Sequence, residues 1–319
     1  MAKFKEIPRA DLKQHQYQGA LLGLAIGDAL GAPVKFRTRG AEAPVKDMIE
    51  GGPLNVRMGE WTDETATALC LAASLLDSNA SDPQDQLDRY NKWRRNGYLS
   101  ATGQALDVSA TMKTALDKFE LTGEGYCGGT SKEWADNDAI CRIAPVAMLW
   151  AQNPKEGIEM AIESARTTHG AKEALDSAAL LTGLLIGILR GDKKDKVLAD
   201  FYSPFGDDWG DFSFCDEVAE VTGGSFRKDT AHDISGDGFA PETLEAALWA
   251  FYRSNDFEQG AILAINLGGD SDSTGAVYGQ LAGAYYGVQA IPLRWREKIM
   301  KRELLVGIAD KLWNLAKNR

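Results

Sequence analysis

The stretch Asn266-Leu267-Gly268-Gly269-Asp270-Ser271-Asp272-Ser273-Thr274, continuing as Gly275-Ala276-Val277-Tyr278-Gly279-Gln280-Leu281-Ala282-Gly283-Ala284-Tyr285-Tyr286-Gly287, decides the fold of this chain. After the acidic opening, glycines recur every four residues, at 275, 279, 283 and 287. Four residues turn an α-helix through about 400°, so these glycines form one slowly drifting stripe. A glycine inside a helix costs about 1 kcal/mol relative to alanine, and a repeated stripe therefore needs a compensating gain. Close approach of another helix backbone supplies it. A second stripe lies near the start of the chain, where Gly19, Gly23, Gly27 and Gly31 repeat at the same interval in GALLGLAIGDALG. Two closely packed helices are expected. If they pack on each other, the segments that open or close them also come together.

The rest of the chain reads the same way. Ala66, Leu69, Cys70 and Ala73 share one helical face, as do Leu244, Ala247, Leu248 and Phe251. Runs of alternating β-branched residues are absent, so the class is all-α. Helices are predicted to begin near residues 16, 63, 84, 108, 138, 156, 171, 195, 241, 257, 272 and 292. No Pro- or Ser-rich linker divides the sequence, and one domain over 1–319 is expected. The least regular stretches are 37–60 and 201–239, and long loops in a helical protein often carry function. Ser177–Leu189 is strongly apolar but too short to cross a bilayer, and reads as a buried helix. Ser273–Leu293 is long enough, but its four glycines, two glutamines and proline argue against a span.

Lys and Arg number 35 and Asp and Glu 46, giving a formal charge of −11. That balance excludes a dedicated nucleic-acid binder and a docking surface for anionic membranes. The four cysteines form no CxxC pair, which excludes a zinc knuckle or a dithiol redox motif. With no apolar segment in MAKFKEIPRADLKQHQ, a cytoplasmic monomer is expected.

Chemistry concentrates in two acidic clusters. Gly59-Glu60-Trp61-Thr62-Asp63-Glu64-Thr65 precedes one predicted helix, and Gly269-Asp270-Ser271-Asp272-Ser273-Thr274 precedes the second glycine-striped one. Thr62, Asp63, Asp270 or Asp272 could serve simply as helix caps. Capping needs one acid, however, and each cluster offers two with hydroxyls beside them. If the clusters meet, four carboxylates at one place require a cation. Mixed carboxylate and hydroxyl oxygens suit Mg²⁺, Mn²⁺ or Ca²⁺ rather than zinc, and the spacing is not that of an EF-hand loop.

With GALLGLAIGDALG, WTDET, Asn137 with CRIAP at 141–145, Thr168-His169, GDGF before ETLEAALWAF, and NLGGDSDSTGAVYGQLAGAYYG, the chain resembles the ADP-ribosylglycohydrolase family over nearly its whole length. The resemblance implies a compact all-α, orthogonal multi-helix fold with a central site for two Mg²⁺ or Mn²⁺ ions. It implies that Thr62, Asp63, Glu64 and Asp272 hold one ion, and that Asp270, Asp272 and Ser273 hold the other. It further implies metal-assisted hydrolysis of the glycosidic bond between ADP-ribose and a protein side chain, most often arginine. Asp107 would approach the substrate ribose, with Asp270 and Asp272 as the other catalytic acids. Asn137, His169, Gly238 and Phe239 would face the ADP-ribose, Phe239 near the adenosine. Arg142 reads instead as a structural ion pair.

Four positions depart from the family pattern. Glu64 stands for a second aspartate, Ser273 for a threonine and Ser109 for a glycine. Lys35, in Gly31-Ala32-Pro33-Val34-Lys35-Phe36, stands where the family usually has a glutamate facing the scissile bond. A lysine there either pairs with Asp63 or Asp270 in place of a cation, or faces solvent while Glu42 or Glu60 takes the acid's role. Two functional readings follow: a metal-dependent ADP-ribosyl hydrolase, and a catalytically impaired ADP-ribose-binding or structural member of the same fold. A general two-metal phosphohydrolase is weaker, because no phosphate-cradling glycine loop is present.

Overall fold

The computed structural model of the protein describes residues 8–206, 209–210 and 212–319. Among these residues the secondary structure is helical, apart from two isolated bridges, Gly51 to Val56 and Asp136 to Phe239. The helices are α1 (Gln14–Gly31), α2 (Asp63–Ser78), α3 (Pro83–Asn96), α4 (Ala110–Thr122), α5 (Asp138–Cys141), α6 (Ala144–Leu149) and α7 (Pro154–Arg166). They continue as α8 (Lys172–Leu189), α9 (Lys194–Val197), α10 (Asp216–Thr222), α11 (Ala240–Arg253), α12 (Phe257–Ile265), α13 (Ser271–Tyr286), α14 (Leu293–Lys298) and α15 (Arg302–Asn318).

The two glycine stripes meet. A Cβ added to Gly19, Gly23 or Gly27 would lie 2.1, 2.3 or 1.9 Å from the carbonyl oxygen of Gly283, Gly279 or Gly275 respectively. The falling partner numbers make α1 and α13 antiparallel, with their backbones in direct contact. Both helices are buried on every side, from Gly19 to Gly31 and from Ser271 to Ala284. The apolar stretch 177–189 is likewise buried, within α8. Outer helices show the one-sided pattern of a surface position: α15 buries Leu305, Ile308, Ala309, Leu312 and Ala316. No helix among the described residues is long and apolar enough to cross a membrane.

All twelve expected helices begin within two residues of their predicted starts. The one expected near 292 is interrupted, and the break has a long-range cause. Lys301 takes a left-handed φ of 52°, separating α14 from α15. Met300 between them donates its N–H to the Gly59 carbonyl (2.9 Å) and accepts from Trp61 Nε1 (3.0 Å). That exchange, with the buried Trp61 ring, guides residues 59–62 into the centre of the molecule. Because α1 and α13 run antiparallel, the end of α1, the start of α13 and the start of α2 converge there.

Candidate active site

Asp28, fully buried on α1, fixes the start of α2. Its carboxylate accepts from Thr62 N (3.0 Å to each oxygen), Thr62 Oγ1 (2.8 Å), Thr65 N (3.1 Å) and Thr65 Oγ1 (2.6 Å). Burial, together with the neighbouring Glu64, pushes its pKa up to about 7 against the pull of these donors. With Thr62 turned onto Asp28, neither it nor Asp270 caps its helix through the side chain. The acids at these two starts therefore do not serve as simple caps. Glu64 Oε1 accepts from Ser273 Oγ at 2.5 Å, which joins the two helix starts directly. Thr62 Oγ1 stands between Asp28 Oδ1 (2.8 Å) and Glu64 Oε2 (3.0 Å), two acceptors for one hydroxyl proton.

On the α13 side, Gly268 and Gly269 take φ of 84° and 64°, which a Cβ would strain, and the turn they make delivers Asp270 to the site. Gly269 O accepts from Phe36 N (2.7 Å), and Asp270 N donates to Gly236 O (2.7 Å). Asn137 donates to Asp270 Oδ2 (2.8 Å) and to Thr243 Oγ1 (3.0 Å), so both of its amide protons are engaged inside the protein. Asp272 is completely buried.

Lys35 lies among these acids rather than in solvent. Its Nζ is 2.5 Å from Asp107 Oδ2, 2.8 Å from Asp270 Oδ1 and 3.0 Å from Asp272 Oδ2, and the side chain is 7% exposed. Burial alone would lower the ammonium's pKa, but the charges of Asp272, Glu64, Asp270 and Asp63 reverse that and raise it. Conversely, Lys35 draws the Asp270 carboxyl below its ordinary value despite burial. Asp107 reaches Lys35 from the loop before α4, with a left-handed φ of 55°. Asp63 is not among the partners of Lys35. The alternative acids lie elsewhere: Glu42 pairs with Arg37 at 2.6 Å on the surface, and Glu60 accepts from Arg57 N at 2.9 Å.

Behind the site runs a second polar chain. His169 is fully buried; its Nδ1 contacts Thr168 Oγ1 (2.7 Å) and its Nε2 contacts Asp136 Oδ1. Asp138 accepts from Ser109 Oγ (2.6 Å), the hydroxyl that also caps α4. Burial and the Asp136 charge push the Asp138 carboxyl up to about 7. Asp136, Asp138 and His169 each bring a potential ligand atom to within 4.8 Å of the others. Both ring nitrogens of His169 are already engaged, which makes the group a hydrogen-bonded relay rather than an open ligand set. Arg142 is buried as expected of a structural residue, but it makes no ion pair among the described residues. Its guanidinium donates to Thr168 Oγ1 (2.5 Å) and lies 4.9 Å from the Tyr90 ring centre, because the nearby carboxylates are taken by His169 and Ser109.

The convergence opens into a cleft of about 440 Å³ whose lining includes Lys35, Phe36, Asp63, Glu64, Asp107, Asp136, Asn137, Gly238, Phe239, Asp270 and Ser273. Phe239 starts α11 beneath the Lys132 ammonium, 5.1 Å from its ring centre, and Gly238 turns with φ 98°. His169 does not line the cleft, but its hydrogen-bond partner Asp136 does. Sequence reasoning singled out neither Asp28 nor the Asp136–Asp138 pair. The signal for Asp28 was available as the only charge in the otherwise apolar GALLGLAIGDALG.

The donor set fits a hard divalent cation. Asp63 Oδ1, Asp270 Oδ1 and Asp272 Oδ2 are buried without a hydrogen-bond partner, although Lys35 approaches the last two. Burial, then Glu64, raises the Asp63 and Asp272 carboxyls well above the usual range, so positive charge beside them favours their ionised forms. Carboxylate and hydroxyl oxygens are the ligands that Mg²⁺ and Mn²⁺ prefer.

A family model described as ADP-ribosylglycohydrolase matches residues 9–319. The chain is 33% identical over 299 residues to the ADP-ribosylarginine hydrolase Tri1 of Serratia proteamaculans, covering 94% of this chain and 79% of the relative. It is 28% identical to the ADP-ribosyl-[dinitrogen reductase] glycohydrolase of Rhodospirillum rubrum, covering 88% and 89%. A solved structure titled "ADP-ribosylglycohydrolase-related protein complex" superposes with a TM-score of 0.83 at 42% identity, over 95% of this chain and 98% of that one. The chain belongs to the ADP-ribosylglycohydrolase family. Within that all-helical fold, the Lys35 ammonium stands at the centre of the acids.

Proposed function

We propose that this single-domain protein hydrolyses the glycosidic bond between ADP-ribose and an arginine side chain of a modified protein, using divalent metal. The convergence of Thr62, Asp63, Glu64, Asp270, Asp272 and Ser273, four of which (Asp63, Glu64, Asp270 and Ser273) line one cleft, carries the reading. This oxygen cluster would hold Mg²⁺ or Mn²⁺, which when bound would supply Lewis acidity and lower the pKa of water. The names of the arginine-specific relatives support the choice of linkage.

The remaining roles belong to the protein's own side chains. Asp107 has the most open side chain of the three acids on Lys35, at 27% against 12% and 0% for Asp270 and Asp272. We assign it to the ribose and to the proton of the attacking water. An oxygen–carbon bond forms at the anomeric carbon and the carbon–nitrogen bond breaks; the leaving nitrogen keeps the electron pair and takes the proton that Asp107 accepted from water, so arginine departs as its guanidinium. Asn137 orients Asp270, and His169 orients Asp136 at the cleft wall. Gly238 and Phe239 form the wall for the adenosine, where an aromatic face can stack on the base. The four free cysteines and the −11 charge support a cytoplasmic monomer acting on proteins.

Lys35 favours one competing reading, an ADP-ribose-binding protein without turnover, since an ammonium is no carboxylate base. The deciding assay is release of ADP-ribose from an arginine-ADP-ribosylated protein with Mg²⁺ and then with excess chelator. Metal-dependent release is expected. No release by folded protein that still binds ADP-ribose would establish the competing reading.

A further inference from the structure

We propose that the Lys35 ammonium is a built-in cation occupying one position of this metal site, so that the chain holds one divalent ion rather than two. The inference rests on the metal-dependent reading above and concerns how the acids are neutralised.

The ammonium contacts Asp107, Asp270 and Asp272 at 2.5–3.0 Å, joining the loop before α4 to the start of α13. One ammonium serves all three carboxylates. Asp107 Oδ2, Asp270 Oδ1 and Asp272 Oδ2 have no partner besides that ammonium. Nζ therefore sits as a point charge among oxygens, as a metal ion does. An ion on Asp270 and Asp272 would need the oxygens that Lys35 already holds, and would stand beside a like charge in a buried site. Displacing the side chain is disfavoured too. Its backbone is fixed by the neighbouring Phe36 N–H on Gly269 O at 2.7 Å, and only 7% of the side chain is exposed.

The opposite side of the cluster stays open to a cation. Asp63 Oδ1 is buried with no hydrogen-bond partner and makes no ion pair with Lys35. Glu64, Thr62 and Ser273 place further oxygens beside it, held together by the Ser273–Glu64 and Thr62–Glu64 contacts. The structure thus divides the acids between two cations of different kinds. Lys35 serves Asp107 and Asp270, a divalent ion serves Asp63 and Glu64, and Asp272 lies between them.

The test is a count of bound Mn²⁺ by equilibrium dialysis, with electron paramagnetic resonance of the bound ion. The natural protein should bind one Mn²⁺ per chain with the spectrum of an isolated ion. Lys35→Met should bind two and show a spin-coupled pair. Asp63→Asn, with Lys35 in place, should bind none. Two ions in the natural protein, or one in both it and a folded Lys35→Met, would overturn the proposal. If Lys35→Met does not fold, the counts for the natural protein and Asp63→Asn decide alone: one and none support it, any other pair refutes it. Absence of Mn²⁺ from every folded variant, with ADP-ribose release indifferent to chelator, would overturn the proposal together with the metal-dependent reading on which it rests.

Discussion

A methyl group on Gly23 would stand 2.3 Å from the Gly279 carbonyl oxygen, and one on Gly279 would stand 2.0 Å from the Gly23 carbonyl. Both obstacles are backbone, so no rotamer change relieves them. Gly23→Ala should therefore destabilise the fold by about 1–3 kcal/mol or more, despite alanine's better helix propensity. Gly307 on α15 is the control, because an added Cβ there meets nothing within 4 Å. Gly307→Ala should be neutral or stabilising by up to about 1 kcal/mol. Urea unfolding of the two variants measures both. Equal effects would mean that the stripes are not a packing device.

The pairing of α1 with α13 was legible because its cause is local and repeated: glycine every four residues leaves a flat helix face. Helix starts were legible for a similar reason. The division of α14 from α15 was not, because Met300 leaves the helical path to pair with Gly59 and Trp61, some 240 residues away. Asp28 stood out as a lone charge, but its role was not legible, since its four donors come from a segment more than thirty residues further on. Lys35 was recognised as anomalous, but two destinations stayed open. Only the turn at Gly268–Gly269 decides between them, by placing Asp270 under the ammonium. The ion pair expected for Arg142 failed because charge complementarity was read without knowing that other donors already hold the carboxylates.

Asn137 gives a test of positioning. Its amide holds Asp270 Oδ2 at 2.8 Å, so Asn137→Ala leaves a buried carboxylate oxygen without that partner. Outer partners of this kind are commonly worth 10- to 100-fold in metal affinity or activity. Because Asp270 faces Lys35, release of ADP-ribose should fall by up to about that factor, with stability reduced by roughly 1–3 kcal/mol. Unchanged release would show that Asp270 keeps its place without Asn137.

Metal should also stabilise the fold. A ligand that binds only the native state at about 100 times its dissociation constant adds roughly 2.7 kcal/mol. Here the cation also relieves buried acids such as Asp63, whose Oδ1 has no hydrogen-bond partner. The melting temperature should rise on adding Mn²⁺ and fall again with chelator. Asp63→Asn should abolish the response, as followed by differential scanning calorimetry.

The Asp136–His169 contact predicts an acid limb in stability. Burial would raise the Asp136 carboxyl, but the His169 charge and hydrogen bond outweigh it and leave the folded pKa below the unfolded value. A carboxylate lowered in this way stabilises fully above its unfolded pKa, about 3.9, and loses that contribution as pH falls through the folded value. Asp136→Asn should therefore be less stable than the natural protein at pH 6, and the gap should narrow below about pH 4. A gap independent of pH would show that shape rather than charge holds the pair.

Asp107 and Glu42 are two of the places where an acid could stand in for a glutamate at position 35. Asp107 lies at the cleft with its carboxylate on Lys35, whereas Glu42 pairs with Arg37 on the surface. A surface pair contributes little, about 0–1 kcal/mol, so Glu42→Gln should leave both stability and ADP-ribose release within error of the natural protein. Asp107→Asn keeps the shape but removes the proton acceptor, and general-base contributions run to about 10²–10⁴-fold. Release of ADP-ribose should fall by that order, while binding of free ADP-ribose changes much less. If Glu42→Gln proves the damaging variant, the loop at 37–42 must close over the cleft during turnover and carry its own acid to the reacting bond.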